Sequence, residues 1–203
     1  MDDAKERELQ ERIRPLMSDF RYRHTLSVAN ECKKLAIMLS TDPDPIVKAA
    51  YLHDITKEMP ENEQISLCKA YGTYLDGDTL NSPKTLHSFS APALIMRDFP
   101  EYADQTVLSA VRYHTTGRAD MTLAEKILYL ADYIEPTREY DDCTEVRICF
   151  YNNPNSPREA LDEAILLSLK ITVRQLLDDG RAIHPQTINA YNDFLKKGET
   201  KVG

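Results

Sequence analysis

Tryptophan is absent and glycine is scarce, at six positions in 203 residues, which disfavours a turn-rich sheet. Apolar residues instead recur at spacings of three and four almost throughout, the period of an amphipathic helix. No apolar run approaches the roughly 20 residues needed to cross a bilayer, and the opening Met1-Asp2-Asp3-Ala4-Lys5 lacks the shape of a signal peptide. A cytoplasmic protein with no membrane partner is therefore expected. The four cysteines form no CxxC pair, so buried free thiols are expected and a disulfide framework or zinc ribbon is not. Basic charge is also short. A net charge of -8 argues against a nucleic-acid partner, because phosphate backbones select basic surfaces. A local group of Arg and Lys can still hold a small phosphorylated ligand.

Hydrophobic residues make up 42% of the chain and charged residues 29%, and the length suits one substantial core. The expectation is a single all-α domain over 1–203, without internal repeats or low-complexity tracts. Its organising stretch is Ala49-Ala50-Tyr51-Leu52-His53-Asp54. Ile46, Ala50 and His53 fall at i, i+4 and i+7, which puts the imidazole on a core-facing stripe. A buried, unpaired carboxylate beside it would cost several kcal/mol, so a basic side chain or a metal ion must neutralise it. A lone histidine on an apolar face is ordinarily a core histidine with a hydrogen-bond partner. The rest of the chain decides between these readings.

Residues 2 to 17 read as a charged amphipathic helix ending near Pro15. Ser18 or Asp19 caps the next, in which His24, Val28, Cys32, Leu35 and Leu39 share a stripe. A helix is expected from Ile46 to about Glu58, carrying His53, Asp54 and Lys57. Further helices follow from Pro60 to Tyr71, from about Leu86 with His87, Ala91 and Leu94 in line, and from Glu101 to His114. Pro92 is expected to bend or delay the Leu86 helix. Thr122 and Glu125 form a capping box for a helix that carries Asp132 and stops at Glu135-Pro136. Residues 141 to 157 read as polar, with 152–157 as the clearest linker. A long helix from Arg158 to about Asp179 ends at Gly180, and a short one follows Pro185.

Five helical segments thus each send a histidine or aspartate inward: His24, His53-Asp54, His87, His114 and Asp132. Each alone has a structural explanation. Together they make a costly core unless a cation repays the desolvation. Imidazole with carboxylate suits iron, zinc, manganese or similar ions, and the lack of cysteine disfavours a structural zinc. The set exceeds what one four-coordinate ion requires, so either two ions are bound or some histidines face a substrate.

In this order, with the flanks Leu52-His53-Asp54-Ile55-Thr56-Lys57 and Tyr113-His114-Thr115-Thr116-Gly117-Arg118, the residues resemble an HD-domain metal-dependent phosphohydrolase. Leu130-Ala131-Asp132-Tyr133-Ile134-Glu135-Pro136 with Arg138, and Gly180-Arg181-Ala182-Ile183-His184-Pro185, narrow the resemblance to the bacterial YqeK family, over about residues 20 to 192. These are HD-type symmetrical dinucleoside tetraphosphate hydrolases, which split diadenosine tetraphosphate into two ADP. The resemblance implies a helical bundle with a central metal site, a metal-binding core of about 18–138, and a C-terminal segment of about 158–196 closing over it. His24, His53, Asp54 and Asp132 are assigned to a primary ion, for which the family implies iron, with manganese, cobalt or zinc as alternatives. His87 and His114 would hold a second ion or contact phosphate directly.

Asp54, Lys57, His87 and His114 are the expected catalytic residues, and Lys57, His87, His114, Thr115, Arg118 and Arg138 the expected substrate contacts. The bland readings are a solvated Lys57 paired with Glu61, surface salt bridges for the two arginines, and a helix-ending cap for Thr115 and Thr116. Arg138 is favoured as functional because it follows Asp132 so closely, whereas Arg118 divides evenly. His184 reads as structural, and Tyr22, Tyr113, Tyr129 and Tyr133 are more readily core than base-stacking. The rival functions are another HD nucleotide phosphohydrolase (a nucleotidase, or a deoxynucleoside triphosphate or guanosine alarmone hydrolase), a non-catalytic module sensing ADP or GDP, and a nucleic-acid-binding helical protein. The exposed helix from Arg158 makes a homodimer the expected assembly.

Overall fold

The computed structural model describes residues 2–199, and every regular element among them is helical. The first helix, α1 (Asp3–Ile13), is capped by the Asp2 carboxylate, which accepts from the amides of Ala4 and Lys5. A 3-10 turn over Arg14–Leu16 leads to α2 (Asp19–Met38), where the Ser18 hydroxyl accepts from the Arg21 amide. Its stripe of His24, Val28, Cys32 and Leu35 is buried.

The next helix, α3 (Asp44–Leu52), stops well short of Glu58. Its end has a local cause. The His53 ring donates from Nδ1 to the Ala50 carbonyl at 2.6 Å, the acceptor that a continuing helix would offer to the Asp54 amide. Tight turns follow, with Lys57 N donating to Asp54 O and Met59 N to Thr56 O. The same device ends α7 (Gln105–Tyr113), where His114 Nδ1 takes the Val111 carbonyl at 2.7 Å. That helix also begins later than Glu101: Pro100–Tyr102 is a 3-10 turn, and Asp104 caps α7.

Between them lie α4 (Glu61–Ala70), the four-residue α5 (Gly77–Leu80) and α6 (Leu86–Asp98). Pro92 lies inside α6 and does not delay it. Helix α8 (Leu123–Ile134) begins with the Thr122–Glu125 capping box. Residues 141–151, read as polar connection, form α9 (Asp141–Tyr151), which buries Cys143, Val146 and Phe150 on one side. The chain ends in α10 (Pro157–Asp178) and α11 (Pro185–Glu199), the latter longer than the short helix expected.

Helix α2 packs on α3 and α8, α3 on α7, and α7 on α8, so the inward faces of four helices meet at the centre of the bundle. Helix α6 joins through α4 and α7, while α9 and α11 pack on α10. All four cysteines are free, with Cys149 only partly buried. No helix among the described residues is long and apolar enough to cross a membrane.

Candidate metal and phosphate site

Five helix ends and faces deliver the polar centre. His24 comes from α2, His53-Asp54 and His114 from the C-terminal ends of α3 and α7, His87 from the first turn of α6, and Asp132 from the last turn of α8. All four imidazoles are at least 96% buried. Three are locked by their outer nitrogen: His53 on Ala50 O, His114 on Val111 O, and His24 Nδ1 on Glu135 Oε1 at 3.0 Å. In His53 and His114, where Nδ1–H donates to a carbonyl, Nε2 is left to present its lone pair inward, the tautomer a metal ligand requires.

The inward atoms crowd together. Asp54 Oδ2 is 3.4 Å from His53 Nε2 and 3.9 Å from His24 Nε2. Its other oxygen faces His87 Nε2 at 3.3 Å and His114 Nε2 at 3.5 Å. Asp132 Oδ1 lies 3.0 Å from His24 Nε2 and 3.9 Å from His53 Nε2. Two overlapping groups, His24–His53–Asp132 and His53–Asp54–His114, bring their ligand atoms within 4.8 Å of one another. Asp54 thus stands between two halves of the cluster.

The donor set fits a cation. His24 Nε2, His53 Nε2 and Asp54 Oδ1 are buried without a hydrogen-bond partner among the described residues, an arrangement that costs about 1–3 kcal/mol per group if left so. Burial raises the Asp54 carboxyl, but His53 and Lys57 more than reverse this and hold it well below the usual range. Asp132 is likewise held low, with burial opposed chiefly by Arg138 and His24. Burial disfavours a charged His24, yet Asp132 and Glu135 outweigh it and lift the ring to about 9. The carboxylates therefore pull positive charge to this point. At the other half, burial and then Lys57 lower His87, and burial lowers His114, so the surroundings disfavour the charged form of both rings.

Residues 21–137 match the HD domain. The chain is 34% identical to a symmetrical bis(5'-nucleosyl)-tetraphosphatase of Halalkalibacterium halodurans, covering 90% of this chain and 93% of that one. A Bacillus subtilis protein of the same description is 32% identical, with 89% and 92% covered. The chain belongs to the HD-domain family of symmetrical bis(5'-nucleosyl)-tetraphosphatases. A crystal structure from Clostridium acetobutylicum, described as a predicted HD superfamily hydrolase involved in NAD metabolism, superposes with a TM-score of 0.84 at 30% identity, over 94% of this chain and 96% of that one.

Around this HD centre the expected phosphate contacts separate. Lys57 lies on the turn after α3, not on its helix face, and its Nζ reaches His87 Nε2 at 3.0 Å and Asp54 Oδ1 at 4.0 Å. The Thr115 hydroxyl is 2.9 Å from both His87 Nε2 and His114 Nε2. Arg138 Nη2 reaches Asp132 Oδ1 at 3.3 Å. Arg118, in contrast, is turned away. Gly117, at φ +64 and with a Cβ there coming within 3.1 Å of Ala190 Cβ, redirects the chain, and the Arg118 fork closes on buried Glu125 at 3.0 and 3.1 Å. Thr116 bonds Gln186, also outside the cluster.

Two residues at the centre escaped the sequence reading. Arg21 Nη1 donates to Asp54 Oδ2 at 2.6 Å, and Glu135 holds His24 from behind. Each stands three positions from a recognised residue, Arg21 before His24 and Glu135 after Asp132, so helical spacing carried the signal. His184 is buried, with Nε2 against Thr79 Oγ1 at 3.1 Å and Nδ1 accepting from Gln186 N. It ties α5 to the start of α11.

Two cavities reach the cluster. One of about 480 Å³, bounded by Asn81, Lys84, Thr172, Arg181 and His184, has Thr115 in its wall. Another of about 510 Å³ has His24 in its wall, with Arg21 and Arg138 beside it.

Proposed function

We propose that the chain hydrolyses dinucleoside tetraphosphates, diadenosine tetraphosphate foremost, at the central anhydride to give two nucleoside diphosphates. The observation that carries this reading is the knot of unpartnered imidazole and carboxylate atoms flanked by Arg21, Lys57, Thr115 and Arg138. His24, His53, Asp54 and Asp132 would hold one ion, iron by resemblance with manganese, cobalt or zinc as alternatives, and His87 and His114 a second ion or phosphate oxygens. When bound, such an ion supplies a water of lowered pKa and neutralises phosphate charge.

The chain's own groups supply the rest. Lys57 and Thr115 turn their donors from His87 to a phosphate oxygen, and Arg138 and Arg21 fork onto neighbouring oxygens. These contacts hold the chain of phosphates so that attack on one inner phosphorus is in line with the bridging oxygen that leaves. The new P–O bond comes from water, and the broken one releases a nucleoside diphosphate carrying the electron pair. His87 and His114, whose Nε2 atoms face Asp54 Oδ1 at 3.3 and 3.5 Å, are placed to pass a proton at Nε2. Arg118, with its fork filled by Glu125, is left out of the proposed contacts and Arg21 is added.

The segment from Arg181 to Thr187 walls the 480 Å³ cavity, and we assign that cavity to one nucleoside, so the C-terminal segment closes over the site. The reading places the protein in the cytoplasm. A homodimer through the outer face of α10, where Leu177 is exposed, completes it, although the chemistry needs only one chain. The test is product analysis after incubation with diadenosine tetraphosphate and each metal in turn. ADP as sole nucleotide product supports the reading. AMP plus ATP, or no turnover with any of the metals, contradicts it.

A further inference from the structure

The four imidazoles are in successive ring contact and curve around Asp54, which faces both the first and the last of them. Neighbouring ring centroids are 5.6 Å apart for His24–His53, 5.0 Å for His53–His114 and 4.9 Å for His114–His87. A cavity opens at each end: His24 is in the wall of one, and Thr115, bonded to His87 and His114, is in the wall of the other. A ligand with a polyanionic middle and a nucleoside at either end has this same form. We propose that the cavity at the His24 end is a second nucleoside subsite, in which Phe20 and Tyr140 stack on the base of the half not held by the Arg181 cavity. This deepens the tetraphosphatase reading and rests on it.

Phe20 and Tyr140 are 66% and 69% exposed, and both line this one cavity. Rings left this far in water add little to the core, yet both are rooted in rigid backbone. Phe20 is in the first turn of α2, whose cap Ser18 is gripped through its amide and hydroxyl by Glu58, both at 2.7 Å. Tyr140 immediately precedes α9, at the end of a loop whose carbonyls at Ile134, Glu135 and Arg138 accept from Arg147 at 2.7 to 2.9 Å. The Arg21 guanidinium lies over the Phe20 ring at 5.9 Å from its centroid, and both rings otherwise remain largely in solvent on a hydrogen-bonded backbone, which limits the entropy lost on binding.

Beside the two aromatics the wall carries the guanidiniums of Arg21 and Arg138, which reach Asp54 and Asp132 of the cluster, together with the carboxylates of Glu135 and Glu139. Arg21 Nε is buried without a hydrogen-bond partner among the described residues, a donor left for a phosphate oxygen. The volume of about 510 Å³ falls in the usual range for small-molecule sites. Stacking accepts any base, so this end should discriminate bases less than the Arg181 cavity, which offers Asn81 and Thr172 as hydrogen-bonding groups.

The test compares kcat/KM for diadenosine tetraphosphate with that for adenosine tetraphosphate, which has only one nucleoside. In the F20A/Y140A double variant the ratio of the two should fall roughly ten- to hundredfold, the effect of losing base stacking, while F20Y/Y140F should keep it. An unchanged ratio in F20A/Y140A, or an equal loss in the aromatic-retaining variant, overturns the subsite. Calorimetry with the analogue bearing a methylene at the central bridge reads the same question without turnover. Affinity at least about tenfold weaker in F20A/Y140A than in wild type supports the proposal. Equal affinity, or no binding by wild type, overturns it. Binding of the analogue without hydrolysis of either substrate would instead count against the tetraphosphatase reading alone.

Discussion

Two clusters built around a buried carboxylate serve opposite ends in this chain. Around Glu125, which is fully buried, the guanidinium of Arg118, the Ser109 hydroxyl and the Thr122 amide all donate to the carboxylate. Both of its oxygens are occupied. Around Asp54, also buried, one carboxylate oxygen and two imidazole nitrogens lack a hydrogen-bond partner among the described residues. The first cluster joins α7 and α8 to the loop between them and keeps them in place. The second keeps these atoms open to a cation even though Arg21 donates to the other Asp54 oxygen. Burial and charge are common to both, so missing partners are what distinguish a site from a structural tie.

That contrast is sharpest at the carboxylates. Asp54→Asn should lower turnover of diadenosine tetraphosphate by on the order of a thousandfold or more, because several kcal/mol of charge stabilisation depends on the ion it helps hold. The metal-free variant should melt within a few degrees of the metal-free wild type. Glu125→Ala should do the reverse. Breaking a buried ion pair costs about 3 kcal/mol, which thermal denaturation would read as a fall of roughly 6–12 °C, while metal bound per folded chain stays as in wild type. If both substitutions moved stability and metal content together, the two clusters would not be separable as described.

Smaller effects refine the comparison. Chelation should lower the melting temperature of wild type, since an ion present at about 100 times its Kd adds about 2.7 kcal/mol, yet leave Asp54→Asn unmoved; scanning calorimetry with and without chelator checks this. Glu135→Gln removes the anion behind His24 but touches no phosphate. A loss of roughly ten- to hundredfold in metal affinity is expected, measured by competition with a chelating dye, with kcat restored at saturating metal. A kcat that stays depressed at saturation would mean that Glu135 does more than orient the ring.

Much of the arrangement could be read in the chain because helical periodicity is a local property. The stripe of His24, Val28, Cys32 and Leu35, the capping box at Thr122 and the stop at Gly180 are visible in a few residues each, and the structure contains them. The convergence of His24, His53, His87, His114 and Asp132 followed from assuming that all apolar stripes face one core. What failed depended on competition or distance. The end of α3 came from an imidazole taking the Ala50 carbonyl, which periodicity does not register. Helix α9 was hidden because Asp141, Asp142 and Glu145 outweigh its buried Cys143, Val146 and Phe150. The roles of Arg21 and Glu135 depend on partners across the bundle, Asp54 and His24, which local spacing does not reveal. Arg118, next in line after a glycine, was carried out of reach by one residue with positive φ.

The central claim is that the Asp54 cluster is completed by a metal ion. Elemental analysis of wild type and Asp54→Asn, both purified without added metal, tests it most directly. One or two ions of iron, manganese, cobalt or zinc per wild-type chain, and their loss from the variant, are predicted. A metal-free wild type, or an equal metal content in the two proteins, would contradict the account.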